Sequence, residues 1–227
     1  MPCNLAFFSV ARVEVAGDYH DDGYALVREL IPREVAKAFV ASFKQDLRPG
    51  AIPLSKFPEH PAVLTRPAFE VYGHVYRPLN FFLWGLTPVI RDLIGRDLLP
   101  TYDYLRIYRG GDICRVHSDR PSCEHSVSLT LEYSDDKIWD LQVGKYRVEE
   151  LHPLEDDFGS KPYSSLGMEV GDAVLYQGTH YGHGRITPNP NAWSAHLFLH
   201  FVDRDGPYRD HAFDKRVSLD KVDFTFA

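Results

Sequence analysis

A mainly β protein, a sandwich or jelly roll with α-helices packed outside one sheet, is what three features of this chain predict. From Tyr102 onward, short segments alternate apolar and polar residues with the two-residue period of a half-buried strand. Turn-forming clusters of Gly, Pro and Asn separate them, with no helical pattern in between, which disfavours a parallel α/β sheet. Both clear helical patterns lie ahead of this region.

The first helix follows Pro32, placed to take the first helical position, with Val35, Phe39, Phe43 and Leu47 recurring every four residues and Pro49-Gly50 as the stop. A second helical region runs from Asn80 to Ile94. Thr87-Pro88 reads as an internal restart and Gly95 as the C-terminal stop. In the strand-rich part, Tyr104, Arg106 and Tyr108 share one face of a strand, with Leu105 and Ile107 on the other. Val127, Leu129 and Leu131 alternate with Ser126, Ser128 and Thr130. Ala173 to Tyr176 and Trp193 to Val202 are further strands. Gly110-Gly111, Pro121, Gly144, Gly171-Asp172 and Pro188-Asn189-Pro190-Asn191 mark turns.

The length of 227 residues suits one domain, and 44% hydrophobic with 25% charged residues is ordinary for a globular chain. The formal charge of -7, without a Lys/Arg cluster, argues against nucleic acid as a partner. Cys3, Cys114 and Cys123 are too few and too irregular for a disulfide framework or a zinc knuckle. The apolar run from Leu5 to Val10 lacks a basic leader and is too short for a signal peptide or a membrane span. A cytoplasmic, reduced protein is the expectation.

The chain has 11 histidines, so a histidine alone means little; His117-Ser118-Asp119 is the informative one. One intervening residue puts both side chains on the same side of an extended segment, where an imidazole and a carboxylate reach one ion together. A third histidine from a distant strand completes a facial triad that leaves positions open for substrates, an arrangement suited to non-haem iron(II). H-x-D alone is a weak signal, since a surface histidine beside a turn-forming aspartate looks the same. Here it follows a strand and a Gly-Gly turn, and a histidine-rich, strand-like segment surrounds His183, 64 positions after Asp119.

Two stretches then carry a family likeness. YLRIYRGGDICRVHSD, Tyr104 to Asp119, and GDAVLYQGTHYGHGRITPNPNAWSAHLFLHFVD, Gly171 to Asp203, resemble the 2-oxoglutarate/iron(II) oxygenase superfamily in its prolyl-4-hydroxylase-like branch. The opening DGYALVRELIPREVAKAFVASF is similar to its N-terminal strand and helix. The resemblance implies a double-stranded β-helix (a cupin-like jelly roll) in a single oxygenase domain, 1–227. Residues 1–100 would be helical support and outer strands, 101–205 the metal-binding barrel core, and 206–227 a C-terminal tail.

It also implies His117 and Asp119 as the first two iron(II) ligands and His183 as the distal one, with His180, His196 and His200 as rivals. Tyr108 matches a tyrosine that hydrogen-bonds 2-oxoglutarate in relatives. The chain departs from the branch where relatives place a lysine or arginine for the distal carboxylate of 2-oxoglutarate, because Ala192 and Trp193 stand there. Arg185, two positions past His183 on the same strand face, is the substitute, and Arg106 the second candidate. Tyr104, Ser194 and His196 have the parity to line the same pocket.

The implied activity is hydroxylation of a small molecule, an amino acid or natural-product intermediate, using O2 and releasing succinate and CO2. The intact Asp119 speaks against halogenation. Alternatives are a protein-residue hydroxylase, a cupin-like metalloenzyme without 2-oxoglutarate, and a barrel that only binds a ligand. Arg120, His125 and Trp139 are further residues near the metal motif. Phe81, Phe82 and Trp84 read as core, Glu149-Glu150 and Asp156-Asp157 as solvated loop charges, and Trp139 to Met168 as a lid or substrate loop.

Overall fold

A computed structural model describes residues 14–47, 58–59 and 61–215. The Leu5–Val10 run, Cys3, the Pro49-Gly50 stop and residues 216–227 of the tail lie outside the described residues. In chain order the elements are β1 (Val15–Ala16), β2 (Tyr24–Val27), α1 (Arg33–Asp46), β3 (Pro58–Glu59), β4 (Ala68–Tyr72), α2 (Pro78–Ile94) and β5 (Leu98–Arg109). Then come β6 (Cys114–His117), β7 (His125–Tyr133), β8 (Leu141–Arg147), β9 (Tyr163–Leu166), β10 (Ala173–Tyr176), β11 (Tyr181–Arg185) and β12 (Trp193–Asp203).

All strand pairings are antiparallel and form two sheets among the described residues. The larger runs β1-β2-β10-β7-β12-β5-β4-β3 and the smaller β6-β11-β8-β9. Hydrogen-bonded neighbours that are distant in sequence, such as β12 between β5 and β7, make this the expected jelly roll, a double-stranded β-helix.

The two faces of the larger sheet differ in chemistry, and that difference positions the site. Leu105, Val127, Leu129, Leu131, Ala195, Leu197, Leu199 and Phe201 are buried in one apolar cluster with the inward residues of α1 and α2. The alternate positions carry Tyr104, Arg106 and Tyr108 on β5, Ser126, Ser128 and Thr130 on β7, and Ser194, His196, Phe198 and His200 on β12. Cross-strand register joins them, with Ser194 opposite Tyr108 and His196 opposite both Arg106 and Thr130. Burying so many polar groups is costly unless they are bonded to each other or to a ligand. This face turns toward the smaller sheet and lines the barrel interior.

The helices correct several expectations. Helix α1 begins one residue later than predicted, with Pro32 as its N-cap, and buries Ala36, Val40 and Phe43, while Val35 is 46% exposed. A spacing of four walks round a helix by about 40° per step, so the Val35 stripe drifts off the true inward face. Helix α2 runs unbroken through Pro88 instead of restarting there. The Thr87 hydroxyl donates to the Leu83 carbonyl (2.6 Å), and Leu79, Leu83, Ile90 and Ile94 hold both halves against the sheet. Gly95 ends it in the left-handed conformation (φ 63°), as predicted. With that stripe facing inward, Phe81 (73% exposed) and Trp84 (57% exposed) point outward and are not core; Phe82 packs against Phe39.

Gly144 is not a turn but lies within β8, opposite Tyr163. A side chain there would meet the Tyr146 ring at 3.0 Å, so close approach favours glycine. The Trp139–Met168 segment is likewise no free loop: it contributes β8 and β9, and Trp139 and Met168 are both buried. Glu149, Glu150, Asp156 and Asp157 are exposed as expected. No helix among the described residues is long and apolar enough to cross a membrane.

Candidate metal centre

Strand β6 ends at His117, which stands directly opposite His183 on β11. Asp119 follows at the start of the turn to β7, its amide donating to the Gly178 carbonyl (2.8 Å). The ligand atoms of His117, Asp119 and His183 all lie within 4.8 Å of one another. His117 Nε2 is 3.6 Å from Asp119 Oδ1, and His183 Nε2 is 3.4 Å from Asp119 Oδ2.

Both imidazoles are held by their other nitrogen. His117 Nδ1 donates to the Arg115 carbonyl (2.8 Å) and His183 Nδ1 to the Tyr181 carbonyl (3.0 Å). That leaves each Nε2 facing the carboxylate, which is how metal-ligating histidines are oriented by their surroundings. Gly178 closes the back of the site, since a side chain there would lie 2.5 Å from Asp119 Oδ2 and 2.6 Å from the Cys123 carbonyl.

Electrostatics favour the ligand forms of Asp119 and His117. Burial pushes the Asp119 carboxyl up, but His183 and then His117 outweigh it and hold the group well below the usual carboxylate range. Burial, reinforced by His183, lowers His117 to about 4, so it is neutral at physiological pH. Burial also opposes charge on His183, yet the Asp119 charge and hydrogen bond outweigh it and raise that imidazole above its ordinary value. Two imidazoles and one carboxylate from two strand ends suit a divalent ion with open positions, of which iron(II) is the familiar case.

A second polar cluster lies along the barrel. Arg185, 1% exposed, donates from Nη1 to the Trp139 carbonyl and from Nη2 to His196 Nδ1 (3.2 Å), with its guanidinium over the Trp139 ring. His196 Nε2 in turn meets Ser194 Oγ (3.2 Å). Burial, then the Arg185 and Arg106 charges, push the His196 pKa down, which makes it the neutral acceptor this geometry needs. Arg106 is ion-paired with the buried Glu70 (2.5 Å) and donates to the Tyr108 hydroxyl (2.9 Å), with Tyr104 alongside. Tyr108, Arg106, Arg185, Tyr104, Ser194 and His196, all predicted to line one pocket, are thus brought together.

The two arginines differ in what balances them. Arg106 has Glu70, whereas Arg185 pairs with no carboxylate among the described residues. A buried cation without a counter-ion is unfavourable unless an anion joins it.

Of the rivals, His180 lies in the turn before β11 and contacts Tyr208, and His196 belongs to the Arg185 cluster. His200 is nearer the centre than its strand suggested, grouped with Asp119 and Cys123. Of the further residues near the motif, His125 faces Tyr19 and Asp203, Arg120 lies over the Tyr102 ring, and Trp139 packs on Tyr108. Glu70, Cys123 and Tyr176 were not singled out in the sequence. A glutamate in the strand before Tyr72 carried no motif, and Tyr176, whose ring is 4.5 Å from His183, looked like any strand tyrosine.

The chain has the same fold, a double-stranded β-helix, as solved 2-oxoglutarate/iron(II) oxygenases. Among solved structures, the non-haem α-ketoglutarate-dependent carbocyclase SnoK of nogalamycin biosynthesis matches at TM-score 0.64 and 12% identity, over 82% of each chain. A Pseudomonas putida prolyl-4-hydroxylase matches at 0.56 and 13%, over 82% of this chain and 96% of that one. HygX from Streptomyces hygroscopicus, solved with nickel, 2-oxoglutarate and hygromycin B, matches at 0.56 and 11%, over 82% and 84%. No protein-family model and no curated protein matches the chain.

Proposed function

We propose that this protein is an iron(II)- and 2-oxoglutarate-dependent oxygenase that hydroxylates a small molecule, with 1–227 forming one oxygenase domain. The carrying observation is the convergence of His117 Nε2, His183 Nε2 and the Asp119 carboxylate, each histidine already fixed through Nδ1. Bound there, iron(II) with 2-oxoglutarate and O2 would supply the oxidising chemistry of a hydroxylation that releases succinate and CO2.

The chain's own residues supply the rest. His117, Asp119 and His183 hold the metal. Arg185 takes the distal carboxylate of 2-oxoglutarate, replacing the cation absent at Ala192 and Trp193, because its charge has no counter-ion among the described residues. Ser194 and His196 hold Arg185 in place. Tyr108 is kept protonated by burial and, having accepted from Arg106, has its own proton to donate to the co-substrate. The Glu70–Arg106 pair leaves Arg106 as a support of Tyr108 rather than the anion site. The retained Asp119 favours hydroxylation.

A small molecule is favoured over a protein residue because SnoK belongs to a natural-product pathway and HygX was solved with hygromycin B. The protein carries no Lys/Arg cluster that would dock nucleic acid. The test is succinate release from 2-oxoglutarate with pools of amino acids and cyclic natural products against pools of peptides. Stimulation by the first pools supports the reading. Stimulation by peptides alone would replace it with a protein hydroxylase.

A further inference from the structure

The described residues hold a second group of ligand-type atoms that shares Asp119 with the centre above. Asp119, Cys123 and His200 each offer one such atom, all within 4.8 Å of one another. Cys123 closes the short 3-10 turn Pro121–Cys123 that follows the H-x-D segment, and His200 comes from β12 on the inner face of the larger sheet.

His200 repeats the pattern seen in both triad histidines. Its Nδ1 is pinned, here by Ser126 Oγ at 2.9 Å, while its Nε2 is buried and has no hydrogen-bond partner. The Ser126 hydroxyl also reaches Asp119 Oδ2 (3.3 Å) and the Cys123 carbonyl (3.2 Å), so one side chain ties all three candidate ligands together. The ring lies flat against Tyr102 (centroids 4.5 Å), and the Tyr102 hydroxyl meets Cys123 Sγ at 3.1 Å. An orphan nitrogen on a residue 2% exposed is unfavourable, and a bound ion would complete it.

We infer that Asp119, Cys123 and His200 form a zinc-binding site that draws on the same carboxylate as the triad. One thiolate, one imidazole and one carboxylate suit zinc, with its fourth position left to water, far better than they suit iron(II) or magnesium. The Cys123 thiol proton is released to solvent as the metal binds. Because Asp119 serves both groups, zinc here opposes a divalent ion at His117 and His183 or shares the carboxylate with it. The inference does not rest on the oxygenase reading.

The test uses the whole protein stripped of metal. Cobalt(II), added anaerobically as a spectroscopic stand-in for zinc, is expected to give a near-ultraviolet thiolate-to-cobalt charge-transfer band that zinc then abolishes. The band should survive in His117→Ala and Cys114→Ser and be lost in Cys123→Ser and His200→Gln. X-ray absorption of the zinc-loaded natural protein should show one sulfur at about 2.3 Å, a readout that depends on no variant. A shell of nitrogen and oxygen only, or a band that persists in Cys123→Ser, would overturn the site. Succinate release moves neither result, so failure here and failure of the oxygenase reading are separate outcomes.

Discussion

His117 and His183 face each other across the β6–β11 ladder, with ring centroids 4.5 Å apart and both Nε2 atoms turned to Asp119. The pairing register of two strands, rather than any loop, therefore sets the spacing of the two histidines, and Asp119 joins them from the turn that follows β6. Strand-borne ligands are held more precisely than loop-borne ones.

Removing one of these imidazoles should remove the metal without removing the fold. His183→Ala is expected to retain its circular dichroism spectrum while iron(II) affinity falls at least about 100-fold, since outer-shell losses alone cost 10- to 100-fold. Equilibrium dialysis and succinate assays check both.

Arg185 makes a different prediction. In Arg185→Leu, the KM for 2-oxoglutarate should rise about 100-fold or more, the loss of a charge-assisted pair worth roughly 3 kcal/mol, while iron(II) affinity changes little. Arg106→Leu should instead destabilise the fold, because it strands the buried Glu70 carboxylate. Steady-state kinetics and thermal melts separate the two arginines.

Gly178→Ala tests the back of the site. Its Cβ would crowd Asp119 Oδ2 and the Cys123 backbone carbonyl. Iron(II) affinity is expected to drop about tenfold or more, equivalent to ~1.4 kcal/mol, with a normal KM for 2-oxoglutarate once iron is saturating. Unchanged iron affinity would show that Asp119 does not depend on this cradle.

What was legible in the sequence was whatever local period or spacing encodes. The alternation in β5 and β7, the Gly95 stop and the H-x-D placement are all set by neighbours within a few residues. Glu70 was not legible, because its meaning depends on lying opposite Arg106 across a strand pair. Nor was the outward face of Trp84, which is decided by the leucines and isoleucines sharing its helix, nor the grouping of His200 with Asp119, which depends on β12 register.

Asp103 supplies a pH prediction. Burial raises its carboxyl to about 7, only partly offset by the Gly73 and Asp103 amides, and its Oδ2 has no partner. The folded state thus holds the proton more tightly than the unfolded chain does. Stability from this group is present below about pH 4 and is lost as pH rises toward 7, by up to about 4 kcal/mol. Asp103→Asn should flatten that decline, so its denaturation midpoint gains on the natural protein between pH 4 and pH 8; parallel curves would refute the assignment.

The most direct measurement on the metal centre is an anaerobic iron(II) titration with and without 2-oxoglutarate. A visible charge-transfer band is expected that needs both components, is absent in His183→Ala, and needs far more 2-oxoglutarate in Arg185→Leu. Iron binding with no band when 2-oxoglutarate is added, or an undiminished band in His183→Ala, would contradict it.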